Sequence, residues 1–330
     1  MTQTTDHPVV VIGAGGWGAA IATALVRAGT ATIVLARNAQ NVDALAKGLC
    51  LRLPDSPPAV KINATTDPAC LKKAKLIFVA VPVGANQTTF ALINEMQADS
   101  PPGAIILCAK GIASTPTGQA MLLTELAQSM LPQHPLAVFS GPSFADEVFA
   151  GLPAALVVAS RDAALAKTIQ ASFEGSNLRV YSNDDPIGVT IAGAMKNVIA
   201  IAAGCAVGAG YGDNAKAAIL TRGLAETARF ASFMGAKNDT IYGLAGVGDL
   251  ALTTAGPHSR NMAFGIALGR AETPPTQLAE GSRTVAHLAQ LAKAKGMDLP
   301  LTAAVDKLVN DGQDLHNIVA ALLARRVGSE

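Results

Sequence analysis

Val9-Val10-Val11-Ile12-Gly13-Ala14-Gly15-Gly16-Trp17-Gly18, running straight into Ala19-Ala20-Ile21-Ala22, is the stretch on which the fold turns. Four consecutive β-branched residues predict a strand buried on both faces, and the Ala-rich run that follows, residues 19–27, predicts a helix. Between them stand Gly13, Gly15 and Gly18. At this spacing the first glycine makes a tight turn, the second lets the main chain approach a pyrophosphate, and the third lets the helix pack close to the strand. The helix start would offer unpaired N–H groups and a positive dipole end to that anion. A lone glycine motif is a weak signal. Strand, glycines and helix in this order, opening a strand–helix–strand pattern, point to dinucleotide binding.

Outward from that stretch, apolar runs at 32–35, 76–81, 104–108, 136–140, 155–159 and 178–181 read as further strands, with helical spacing at 85–96. Runs apolar on both faces and joined by helices predict a parallel sheet covered on both sides. From residue 184 the strand pattern stops, and Ala, Leu and Gly at helical spacing continue to residue 326. A chain of 330 residues suits two ordinary cores. The expected plan is an α/β Rossmann-type dinucleotide-binding domain, residues 1–183, followed by an all-α C-terminal domain, residues 184–330, that binds substrate.

Composition narrows the function. Basic residues number 25 and acidic ones 24, and charged residues make up only 15% of the chain. A nucleic-acid binder needs a cationic excess to neutralise phosphates, so that class is excluded, whereas a single small phosphate needs only two or three placed cations. The N-terminus carries Asp6 without a positive cluster, unlike a signal peptide. The apolar stretch 187–209 holds Lys196 and Asn197 at its middle, so a buried helix is expected rather than a membrane span. Cys50, Cys70, Cys108 and Cys205 are widely separated and read as small buried side chains in a reducing cytoplasm. The five histidines make no ligand spacing, and no metal site is expected.

Several polar residues stand out. The second strand ends Leu35-Ala36-Arg37-Asn38, with no acid before Asp43. An acid there would favour the ribose hydroxyl of NAD, whereas Arg37 can pair with a 2′-phosphate, so NADP is the expected cofactor with NAD allowed. Lys196, on a helix with almost no other charge, is expected to be destabilised as an ammonium and so to exchange a proton near neutral pH; the competing reading is a lysine whose head snorkels to water. In Gly256-Pro257-His258-Ser259-Arg260-Asn261, Ser259 suits the N-cap of a helix starting at Arg260, and the guanidinium, amide and exposed N–H groups suit a phosphate. Asp249 lies in a Gly-rich turn, where it either orients a cation or hydroxyl or caps a helix. Lys110 and Gly141-Pro142-Ser143 follow the ends of strands, where open sheets bind ligands.

At these residues the sequence resembles the bacterial NAD(P)-dependent glycerol-3-phosphate dehydrogenases along nearly its whole length. The blocks that carry the resemblance are Ile12 to Gly18, Ser140-Gly141-Pro142-Ser143-Phe144-Ala145, Lys196-Asn197-Val198-Ile199-Ala200-Ile201, Thr221-Arg222-Gly223-Leu224-Ala225-Glu226 and Ser259-Arg260-Asn261. The resemblance implies that Lys196 transfers the proton. It implies that Lys110, Gly141, Ser143, Asp249, Ser259, Arg260 and Asn261 hold glycerol phosphate with Lys196, and that Gly16, Trp17, Arg37, Lys110, Ala145, Arg260, Leu278 and Glu280 lie near the cofactor. Gly16 stands where the family often has Ser, and Leu278 where Val is common. The implied reaction is reversible reduction of dihydroxyacetone phosphate to sn-glycerol 3-phosphate, supplying phospholipid synthesis, with a homodimer left open. Two other classes are weighed against it. One is a dehydrogenase of another small keto acid or phosphorylated hydroxy acid, such as a ketopantoate reductase or a 6-phosphogluconate-type enzyme; the other is a dinucleotide-binding protein without turnover.

Overall fold

The decisive stretch folds as expected: strand β1 (Val9–Ile12) enters the glycine turn and helix α1 (Gly16–Arg27) leaves it. The computed structural model describes residues 8–115, 117–273 and 280–316, with the side chains of 280 and 282 left aside. Next come β2 (Thr32–Leu35), α2 (Ala39–Ala46), β3 (Asn63–Thr65), β4 (Leu76–Val79), α3 (Asn86–Met96) and β5 (Ala104–Leu107). A hairpin of β6 (Ile112–Ser114) and β7 (Ala120–Leu122) follows, then α4 (Leu123–Met130), β8 (Leu136–Ser140), α5 (Ala145–Ala150), β9 (Ala154–Ala159), α6 (Ala163–Ala171) and β10 (Leu178–Asn183). The remaining elements among the described residues are helices: α7 (Pro186–Gly208), α8 (Gly212–Phe233), α9 (Asn238–Tyr242), α10 (Asp249–Thr254), α11 (Arg260–Gly269), α12 (Glu280–Ala294) and α13 (Pro300–Asn310).

The main sheet has the order β10-β9-β8-β5-β4-β1-β2-β3. The chain proceeds from β1 to β2 on one side and returns to β4 on the other, so the order reverses at β1. Such reversals leave a crevice beyond the carboxyl ends of the strands, where the glycine turn lies. The expectation of a purely parallel sheet is corrected at one place: β8 pairs antiparallel with β9, Val138 opposite Ala159. The short α5 returns the chain close to where β8 ended, and a buried strand reads equally apolar in either direction. The core of this sheet is aromatic. Phe78 meets Phe139 and Phe173 edge-on at 5.7 and 5.8 Å, while Phe139 and Phe173 stack at 5.3 Å.

The chain forms two compact units, residues 1–109 with 123–190, and residues 110–122 with 191–330. This differs from the division expected at 183/184. The β6–β7 hairpin belongs with the helices because it packs on α12; the His287 ring hydrogen-bonds the Ile112 carbonyl at 3.3 Å, and Gln290 donates to that of Gly118 at 3.3 Å. The first turn of α7 belongs with the sheet, tied by the Gly188 amide to Asp185. Helix α7 is long and apolar enough to cross a membrane by length and composition alone. Residues 188–206 are nonetheless all buried in protein, Lys196 and Asn197 included, as expected of a core helix.

Candidate active site

In the first unit the glycine turn opens directly onto a helix start. Gly13 has φ +111°, and a side chain there would lie 2.7 Å from the Ala80 carbonyl, so only glycine fits. Gly15 is the N-cap of α1, and no side chain caps that helix start or adds an acid to its first turn. The space beside Gly15 is open to at least 4 Å, room that a pyrophosphate can use. A side chain on Gly18 would run into the Gly13 carbonyl oxygen. Trp17 stacks on Phe139 at 6.4 Å, and its buried Nε1 has no partner among the described residues. An uncapped helix start, open space and an unsatisfied buried donor fit a dinucleotide.

Other first-unit candidates gather around this turn in part. A Cβ on Gly16 would lie 3.1 Å from Leu53 and 3.5 Å from the Ala145 side chain, so Gly16 and Ala145 are neighbours. Gly141 has φ +143°, which turns the chain sharply after β8, and the Ser143 hydroxyl donates back to its carbonyl at 3.2 Å. Arg37 is exposed beyond β2, while Asn38, next to it, caps α2 by accepting the Asn41 amide at 3.0 Å. The cap thus belongs to Asn38, and the described residues give Arg37 no ion-pair partner.

In the second unit three charged residues far apart in sequence converge. Lys196 donates from Nζ to Asp249 Oδ1 at 2.6 Å and to Thr253 Oγ1 at 2.8 Å. Lys110 donates to Asp249 Oδ2 at 2.7 Å. Both Asp249 oxygens are engaged, and its side chain is only 1% exposed. Burial alone would raise the Asp249 pKa, but the two ammoniums outweigh it and hold the carboxyl below its ordinary value of 3.8. Asp249 is paired with two cations, while the N-cap of α10 is Gly248. Lys196 does not snorkel; its head is bonded inside the protein, and the sequence pattern had not disclosed the carboxylate that matches its charge.

An amide chain extends the cluster. Asn197 donates to the Lys110 carbonyl at 3.2 Å and accepts from Asn261 at 2.9 Å, and the Gly281 amide donates to Asn261 at 2.9 Å. Ser259 caps α11 as expected, accepting the Met262 amide at 3.4 Å. Arg260, an exposed residue, starts that helix next to buried Asn261. Leu278 lies outside the described residues, as does the side chain of Glu280.

Two family models match the chain: NAD-dependent glycerol-3-phosphate dehydrogenase N-terminus over residues 8–166 and the C-terminus of the same family over residues 185–320. The chain belongs to this family. A glycerol-3-phosphate dehydrogenase [NAD(P)+] of Mesorhizobium japonicum is 43% identical, covering 98% of this chain and 93% of the relative. A crystal structure of glycerol-3-phosphate dehydrogenase from Coxiella burnetii superposes with a TM-score of 0.88 at 36% identity, covering 97% of this chain and 99% of the other. A ketopantoate reductase from Ralstonia eutropha shares the fold with a TM-score of 0.61 at 20% identity, covering 95% and 99%. Membership makes the chain an oxidoreductase of the NAD(P)-linked kind, and the Rossmann-type domain followed by a helical one is the family's architecture.

Sequence reasoning about this dehydrogenase missed two members of the lysine cluster. Thr253 lies four residues after Asp249, on the same face of α10, and donates to its main-chain carbonyl at 2.6 Å; that spacing was available to find it. Asn197 stands in the sequence as a polar residue in an apolar run and as part of a resemblance block, with no sign that it binds the Lys110 main chain. The cysteines are free, and Cys70 is half-buried rather than buried. Desolvation, with Asp67 nearby, pushes its thiol up to about 11, so it is protonated at neutral pH.

Proposed function

We propose that the protein catalyses the reversible NAD(P)H-dependent reduction of dihydroxyacetone phosphate to sn-glycerol 3-phosphate, the precursor of the phospholipid backbone. The observation that carries this reading is the buried Lys196 ammonium, held by Asp249 and Thr253 in a chain that also has an open, uncapped dinucleotide turn. Gly13, Gly15, Gly16, Trp17, Gly18 and Ala145 would hold the dinucleotide, with Arg37, Lys110, Arg260, Leu278 and Glu280 contributing. When bound, the cofactor supplies the hydride that reduces the ketone carbon. Lys196 hydrogen-bonds the ketone oxygen, stabilises the negative charge growing on it, and gives it a proton, which leaves a secondary alcohol. Asp249 keeps the lysine aimed and charged before the step. Lys110 adds a second positive charge. Ser259, Arg260 and the remaining N–H of Asn261 grip the phosphate, with Gly141 and Ser143 on the substrate side, so that binding at the non-reacting end fixes the carbonyl in place.

The test is NADPH oxidation over a panel of ketones. Dihydroxyacetone phosphate should be reduced far faster than unphosphorylated dihydroxyacetone or ketopantoate; preference for ketopantoate, or no turnover with any ketone, would overturn the reading. Arg260→Ala should raise KM for the phosphorylated ketone by roughly 10- to 100-fold, the worth of hydrogen bonds to a charged group. At saturating NADPH, where any share of Arg260 in cofactor binding drops out, activity on dihydroxyacetone should barely change. If both substrates suffer equally, Arg260 is not the phosphate clamp.

We further propose that NADP is preferred through Arg37. Its exposed position limits the effect, since a solvated pair is worth about 1 kcal/mol or less. Arg37→Asp should shift the NADPH-to-NADH ratio of kcat/KM toward NADH by roughly tenfold. An unchanged ratio would assign cofactor choice to other residues.

A further inference from the structure

Asp249 emerges from an unusual turn. Between α9 and α10, residues Leu244–Gly248 form a single π-helical turn, in which hydrogen bonds reach back five residues. The Gly248 amide donates to the Gly243 carbonyl at 3.2 Å, and the Asp249 amide itself reaches back to Leu244. Such wide turns are rare and cluster at functional sites. Here the turn delivers the carboxylate that both lysines share.

The turn depends on one glycine. A side chain built on Gly246 would come within 2.6 Å of the Ile241 carbonyl carbon and closer still to its oxygen. These are backbone atoms of α9, and Ile241 is fully buried, so α9 cannot readily give way. Gly243, at the entrance of the same turn, differs: its nearest neighbours would lie at 3.5 Å, ordinary contact. Any residue other than glycine at 246 therefore pushes the turn off α9, and Asp249, three residues on, moves with it.

We propose that Gly246 is a positioning residue for the reaction: by letting the π-turn close against α9, it sets the carboxylate of Asp249 where Lys196 and Lys110 both reach it. This rests on the dehydrogenase reading above. A displacement of about 1 Å at such a group costs on the order of a hundredfold in rate. Gly246→Ala should thus lower kcat with dihydroxyacetone phosphate by roughly 10- to 100-fold, leaving the NADPH dissociation constant unchanged. Gly243→Ala, the same change where there is room, should keep wild-type kcat.

A Gly246→Ala enzyme with kcat within twofold of wild type would overturn the proposal, as would equal losses in the two alanine variants. If Gly246→Ala melts below the assay temperature, Asp249→Glu asks the same question on an unaltered backbone. Extending the carboxylate by one methylene should lower kcat by a similar factor at unchanged NADPH affinity, and wild-type kcat would overturn the proposal. The wild type run alongside separates the two readings. A silent wild type sinks the substrate assignment and this proposal together, whereas an active wild type beside an unaffected Gly246→Ala sinks this proposal alone.

Discussion

Replacing Lys196 with alanine should lower kcat by roughly 100- to 10,000-fold while NADPH still binds, because positioned general acid catalysis is worth about that much. Lys196 is not among the residues proposed to hold the dinucleotide, and its head is bonded to Asp249 and Thr253, so cofactor affinity should not follow the lysine. The loss should appear in kcat and in kcat/KM alike, the mark of an interaction made in the transition state. Lys196→Arg is the sharper variant. It keeps a positive charge that Asp249 can pair with, but a guanidinium does not release its proton at working pH. If charge alone mattered, Arg would rescue; if proton transfer matters, it should remain nearly as slow as Ala. Titrating NADPH by fluorescence and following its oxidation at saturating substrate measures both. Turnover of Lys196→Ala within a few-fold of wild type would remove the lysine from the mechanism.

The strands around the glycine turn were readable because burial on both faces writes a continuous apolar run, as in Val9–Ile12 and Ala104–Leu107. What escaped was short or polar. Asn63–Thr65 is a three-residue strand at the sheet edge, and its composition reads as loop. The two hairpin strands at Ile112–Ser114 and Ala120–Leu122 are equally short, so the excursion of residues 110–122 into the helical unit left no mark. Strand direction is also absent from a buried run, which is why β9 was expected to be parallel to its neighbour.

The candidate site divides along the same line. Ser259 at a helix start and Lys196 in an apolar helix are local signals, and both stand where local chemistry put them. The pairing of Lys196 with Asp249 spans 53 residues and that of Lys110 with Asp249 spans 139. No periodicity encodes such contacts; the fold creates them. That is why sequence offered burial alone as the influence on Lys196, and the structure adds the Asp249 carboxylate at 2.6 Å.

Asp249 carries the second large effect. Asp249→Asn keeps the shape of the side chain but leaves two ammoniums, 10% and 13% exposed, without the anion that both contact. Breaking a buried ion pair by removing one partner costs about 3–5 kcal/mol, because the remaining charge stays desolvated. Removing Lys110's charge as well should recover part of that loss, so Asp249→Asn should cost less in a Lys110→Met background than in the wild type. The pH dependence follows from the sign of the shift. The folded carboxyl titrates below its ordinary value of 3.8, so its contribution to stability is fully present above the unfolded pKa and is lost as pH falls through the folded one. Wild type and Asp249→Asn should therefore differ by a constant amount from neutrality down to about pH 5, and the gap should close only well below pH 4. Urea unfolding of the two proteins at pH 7, 5 and 3.5 measures it. Equal stability at pH 7 would mean that the lysines lose nothing with the anion, and would undo the account of Asp249 as the residue that keeps Lys196 charged and aimed.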